Sequence, residues 1–236
     1  MSEQLFIRLG SQADDAIHWL VWSEQEQEII ASGELAHKDD LSSLQQRAGG
    51  RSATVFVPTS DIKLQKVEVP AKTNRQFIQA IPYMLEEDIA ADVDECFFAT
   101  GNKSFDEENE CHYLQVAVIN DQKVQNWLAW LAEAGIRCQK ILPDILALPY
   151  HEQALSVMQL GEQWLIRSGE FAGIACEKQE LLLWLELLAP QIESDEEQSN
   201  TKLYYYSALP QELSSNPAYE RIEAECLPAL QLLGQH

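Results

Sequence analysis

The residues that invite a chemical reading are few, and most fail on spacing. His151-Glu152 opens like the zinc-peptidase pattern HExxH, in which two imidazoles on successive helical turns grip one metal, but Leu155 stands where the second imidazole must be. The five histidines, His18, His37, His112, His151 and His236, are scattered along the chain and fit ordinary structural or surface roles. The run FDEENE (Phe105–Glu110) has the charge of a calcium loop, without the alternating ligands or central glycine of an EF-hand, and reads as a solvated loop. Asn102-Lys103-Ser104 is a formal glycosylation acceptor, without meaning in a cytosolic protein. No GxSxG elbow, GxxxxGK[ST] loop or strand-following GxGxxG occurs. The residues therefore assign no catalytic, cofactor-binding or metal-ligating position.

Charge narrows the partners. Among 236 residues, 16 Lys+Arg against 38 Asp+Glu give a net charge of −22. That field repels a phosphate backbone and an anionic lipid surface, and attracts cationic partners. At 46% hydrophobic and 23% charged, the chain is ordinarily globular, large enough for one or two domains. Cys96, Cys111, Cys138, Cys176 and Cys226 are an odd, widely spaced set, which argues against a disulfide framework and for a reducing compartment. The start, MSEQLFIRLG, lacks a signal-peptide pattern. The longest apolar stretch, Leu181–Ala189, is interrupted by Glu186 and too short to span a bilayer. The expectation is a soluble cytosolic body.

The elements that must position any site follow from periodicity. Leu5–Gly10, Ala16–Trp22 and Glu28–Leu35 read as a three-strand meander, followed by a helix from Asp39 or Asp40 to about Ala48 and a strand over Thr54–Val57. The same βββαβ order returns as Ala154–Leu160, Gln163–Ser168, Phe171–Glu177, a helix over Lys178–Ala189 stopped by Pro190, and a strand over Lys202–Tyr206. Between the repeats, Ile62–Val69 alternates as a half-buried strand. Thr73 and Gln76 have capping-box spacing, and Phe77, Ile81, Leu85 and Ile89 form one stripe of a helix kinked at Pro82. Asp94–Thr100 and His112–Ile119 are further strands, joined by the acidic loop. Asn120 then caps a helix that stops at Gly135, and Cys138–Leu142 follows as a strand.

Two βββαβ lobes with inserted material resemble the actin-like ATPase superfamily, and imply an α/β, ribonuclease H-like architecture. Residues 1–69 with 111–150 are the expected first lobe, 70–110 an inserted subdomain, and 151–236 the second lobe. Nucleotide-binding members cradle phosphates in one hairpin turn per lobe, with small residues and a carboxylate for Mg²⁺. Here Arg8 or Leu9 occupies the region where the superfamily's first strand carries Asp. The second turn, Gln159-Leu160-Gly161-Glu162, has one glycine, and SALPQEL lacks a Gly-Gly pair for the adenosine. The lobes read as a degenerate scaffold that has lost ATP chemistry, with no cofactor expected.

The run Pro70–Phe77 (PAKTNRQF), the core IPYMLEEDI (Ile81–Ile89), FFATG (Phe97–Gly101) and LAEAGIRCQKILPDILALP (Leu131–Pro149) resemble the type II secretion system protein L family (GspL/EpsL). The IPYMLEEDI core has a looser echo in the pilus protein PilM, which shares the actin-like fold with the division protein FtsA. The resemblance implies a non-enzymatic scaffold of the secretion platform that recruits the ATPase GspE, pairs with protein M and sits at the cytoplasmic face of the bacterial inner membrane. Membrane attachment would come only through a C-terminal segment not in this sequence; a homodimer is open. The alternatives are an actin-like ATP-binding enzyme or phosphotransferase, and a pilus or division adaptor of the PilM/FtsA kind. The candidate partner patch is acidic: Glu86, Glu87, Asp88, Asp92, Asp94 and Glu95. Its competing reading is a solvated helix end; a free strand edge is a second candidate for docking.

Overall fold

A computed structural model describes residues 3–45, 49–72, 74–107, 109–189 and 200–224. Thr73, the helix end near Ala48, Pro190, residues 192–199 of the second acidic loop and Cys226 lie outside them.

The chain forms two compact units, residues 1–60 with 130–236, and 61–129. The first holds two five-stranded sheets of the same design. In one, β1 (Glu3–Arg8), β2 (Ile17–Ser23), β3 (Glu28–Leu35), β4 (Ser52–Val57) and β8 (Arg137–Pro143) lie in the order β3-β2-β1-β4-β8. In the other, β9 (Ala154–Leu160), β10 (Gln163–Gly169), β11 (Ala172–Glu177), β12 (Thr201–Tyr205) and β13 (Tyr219–Glu223) lie in the order β11-β10-β9-β12-β13. Each sheet begins as an antiparallel meander and continues with two parallel strands. The repeated βββαβ order is thus a repeated sheet topology, extended in each lobe by a fifth strand.

The meander strands form where apolar residues alternate or run together. Leu5, Phe6 and Ile7 of β1 are all buried, as are Leu155, Val157, Leu165 and Ile166 of β9 and β10. The second sheet packs Trp164, Ile166 and Leu203 against Leu181, Leu185 and Leu188 of the helix that follows β11. The first helix of the expected pattern is a 3-10 helix, Lys38–Leu44, that buries Leu41 and Leu44. β13 (YERIE) went unread because only Tyr219 in it is buried, so no apolar alternation marks it.

The second unit is a three-stranded antiparallel sheet, β5 (Ile62–Val69), β7 (Cys111–Asn120) and β6 (Cys96–Asp106), in the order β5-β7-β6. Helix α1 (Arg75–Met84) lays Ile81 on Val67, Leu114, Val116 and Val118. Its cap is Asn74, whose Oδ1 accepts the Phe77 N–H at 2.8 Å. The expected stripe is correct, since Phe77, Ile81, Leu85 and Ile89 all reach this core, but the helix ends at Met84 rather than Ile89. Pro82 lacks a donor, the Leu85 N–H bonds to both Ile81 and Pro82 carbonyls, and three carboxylates follow where the helix dipole is negative. Strand β6 is longer than expected, running through Phe105 and Asp106 and shortening the acidic loop.

Helix α2 (Asp121–Glu133) is capped by Asn120, whose Oδ1 accepts the Lys123 N–H at 3.3 Å, and the chain reverses at Gly135 (φ +67°). Helix α3 (Leu181–Leu188) follows a 3-10 turn over Lys178–Glu180, and α4 (Gln211–Ser214) is a single turn. No helix among the described residues is long and apolar enough to cross a membrane.

Candidate docking site and the hairpin turns

The six carboxylates singled out from the sequence fall on two consecutive 3-10 turns of the second unit. Glu86, Glu87 and Asp88 form the turn directly after α1; Asp94 and Glu95 lie in the turn Val93–Glu95, which Asp92 caps by accepting the Asp94 N–H at 3.0 Å. All six residues are exposed, and none makes an ion pair among the described residues. Asp88 is partly committed to the fold: its carbonyl accepts from Lys63 Nζ, and its Oδ2 accepts from Gln65 Nε2 at 3.0 Å. Burial, followed by the carboxylates of Glu95 and Asp92, holds the neighbouring Cys96 thiol above its ordinary pKa.

Where the resemblance places phosphate chemistry, the chain's own side chains meet. Arg8, the last residue of β1, directs Nε and a terminal guanidinium nitrogen to Asp144 Oδ2, each at 3.0 Å. The other oxygen, Oδ1, accepts the Thr59 N–H at 3.0 Å and the Thr59 hydroxyl at 2.7 Å. The Thr59 hydroxyl oxygen in turn accepts the Ile145 N–H at 3.0 Å. Asp144 is 2% exposed, so its charge is held almost entirely by these partners. In the turn between β1 and β2, Asp15 Oδ2 accepts the Gln12 N–H at 2.9 Å. The turn between β9 and β10 is two residues, Gly161-Glu162, and the Glu162 carboxylate pairs with Lys178 Nζ at 2.8 Å.

Asp144 escaped the sequence reading because its partners lie 136 and 85 residues away in the chain. The available signal was a lone acid inside the apolar run PDILALP, since an acid buried there must be paired. Arg167 on β10 escaped likewise; it donates to the carbonyls of Leu146 at 3.1 Å and of Leu148.

A cleft of about 450 Å³ on one face of the first sheet is lined by Phe6, Phe56 and Leu142 with Thr54, Arg51 and Lys140. Glu3 also lines it, and its carboxylate is paired with Arg51. Among the described residues, no cluster of three or more His, Cys, Asp or Glu side chains is arranged to hold a metal.

Known proteins place the chain. The family model for the type II secretion system (T2SS), protein L, matches residues 5–236. The type II secretion system protein L of Vibrio cholerae is 36% identical over 189 residues, 80% of this chain and 44% of that protein. That of Klebsiella pneumoniae is 34% identical over 193 residues, 78% of this chain and 43% of that protein. The chain thus spans less than half the length of the curated relatives it matches. The solved cytoplasmic domain of EpsL, an inner membrane component of the Vibrio cholerae system, superposes with a TM-score of 0.77 at 32% identity, covering 99% of this chain and 94% of that one. The PilM–PilN type IV pilus biogenesis complex gives a TM-score of 0.61 at 14% identity, over 86% of this chain and 81% of that one, a likeness of fold alone. The fold is the expected actin-like one, and the chain belongs to the type II secretion system protein L family.

Proposed function

We propose that this chain is a non-enzymatic scaffold of the type II secretion inner-membrane platform, and that it docks the cytoplasmic secretion ATPase GspE through its acidic 86–95 segment. The observation that carries the reading is where those carboxylates stand. Glu86, Glu87 and Asp88 follow the C-terminus of α1, where the dipole disfavours negative charge; Lys63 bonds only the Asp88 carbonyl, and among the described residues none of the three carboxylates makes an ion pair. A basic surface on the ATPase would relieve that repulsion and set association rate and specificity more than raw affinity.

Loss of ATP chemistry is part of the same proposal. The guanidinium of Arg8 and the carboxylate of Asp144 satisfy one another, and Glu162 is engaged by Lys178. Pairing with protein M and a position on the cytoplasmic side of the inner membrane complete the reading. Co-purification with the N-terminal region of GspE tests the docking: a complex forms at low salt and weakens as salt rises. Its absence at low salt contradicts the proposal. Titration with a fluorescent Mg-ATP analogue tests the second part: micromolar binding contradicts a lost nucleotide site.

A further inference from the structure

We infer that the connection between β8 and β9 is a latch that fixes the two five-stranded sheets of the first unit against each other without any ligand. On one side Asp144 is bound to the end of β1 through Arg8 at 3.0 Å and to the 3-10 turn after β4 through Thr59 at 2.7 Å. On the other side the next residues are bound to the second sheet. Arg167 on β10 donates to the carbonyls of Leu146 and Leu148, and its guanidinium lies 5.7 Å from the Tyr150 ring centroid. Ser156 on β9 donates to the Pro149 carbonyl at 2.7 Å. His151 stacks on Tyr204 of β12, with ring centroids 3.6 Å apart, and its Nε2 shares a hydrogen bond with the Tyr206 hydroxyl at 2.8 Å.

Packing closes the remaining space. A Cβ on Gly173 of β11 would lie 2.5 Å from Ile145 Cγ1 and 2.7 Å from the Ile166 carbonyl oxygen, so β11 approaches the connection as closely as a glycine allows. Residues 145–151 thus lie between the sheets: Ala147 packs with Phe6, Leu20 and Phe56 of the first, the contacts of Leu146, Leu148, Pro149 and His151 reach the second, and the Asp144 contacts are the charged bolt on the first-sheet side. Each Asp144 oxygen accepts two hydrogen bonds from the protein, so the bolt needs neither a bound cation nor a bound anion to hold charge balance.

Hydrogen exchange on the intact chain reads the latch through the Ile145 N–H, bonded to the Thr59 hydroxyl, and the Leu148 N–H, bonded to the Ile145 carbonyl. Asp144→Asn keeps the size of the side chain and removes its charge. It is expected to speed exchange of the peptide spanning these amides by about tenfold, the equivalent of one charge-assisted hydrogen bond, while peptides within β9 and β10 stay protected. Arg8→Met gives the same result should Asp144→Asn fail to fold, and Arg167→Lys loosens the connection from the other side. In a background whose native cysteines are replaced, spin labels at Ser32→Cys and Glu220→Cys give one narrow distance, unchanged by Mg-ATP, that broadens when Arg8→Met is added. Unchanged exchange in the folded variants, or a wild-type distance that is broad or shifts with Mg-ATP, overturns the latch.

Discussion

His151 shows how much a single side chain can carry without chemistry. The aborted zinc pattern at His151-Glu152 becomes, in three dimensions, an imidazole stacked on Tyr204 and bonded to Tyr206. Burial lowers its pKa, so the folded state favours the neutral ring. His18 is lowered too, first by burial and then by Arg8; its 3.6 Å approach to Glu34 is the weaker influence, because Glu34 is largely exposed. The unfolded chain therefore binds more protons than the folded one as pH falls from about 6.5, and the contribution of each ring is present above that value and lost below it. The comparison that isolates His151 is thus between variants: the wild-type Tm falls more, or rises less, between pH 7.5 and 5.5 (about one unit either side of the free imidazole value) than that of His151→Phe. Parallel pH curves would remove His151 from the account.

Among the elements, the turn after α2 is the sharpest case of sequence dictating geometry. Gly135 sits at φ +67°, and a Cβ there would lie 2.7 Å from the Gln45 Nε2. Gly135→Ala is expected to cost about 1–2 kcal/mol in urea unfolding, and Gly135→Asn less, because Asn tolerates the left-handed region. Equal stability of Gly135→Ala and wild type would show that the turn relaxes. The strands were legible where one face or both are apolar, as in β5 and β9, which span the expected residues. They were not legible where burial rests on one residue, as with Tyr219 in β13. The α1 stripe was legible but its end was not, since the helix stops through Pro82 and the Glu86-Glu87-Asp88 charges rather than through a glycine. The Asp144 contacts are invisible to any local pattern, because the topology, not the spacing, brings Arg8, Thr59 and Asp144 together.

At the scale of the molecule, a −22 charge is a cost in self-repulsion that solubility alone does not place on particular residues. Two sheets of identical strand order supply the frame, and the 61–129 unit presents the candidate patch on two short turns backed by its own core. Because Asp88 also bonds Gln65, the clean probe of that patch is the outward pair, Glu86 and Glu87. The decisive measurement is the affinity of Glu86→Lys/Glu87→Lys for the N-terminal region of GspE, by titration calorimetry at low and high salt. Docking through the patch predicts an unchanged thermal transition with affinity weakened about tenfold at low salt, the difference shrinking as salt rises. Wild-type affinity in the folded variant at low salt would contradict it.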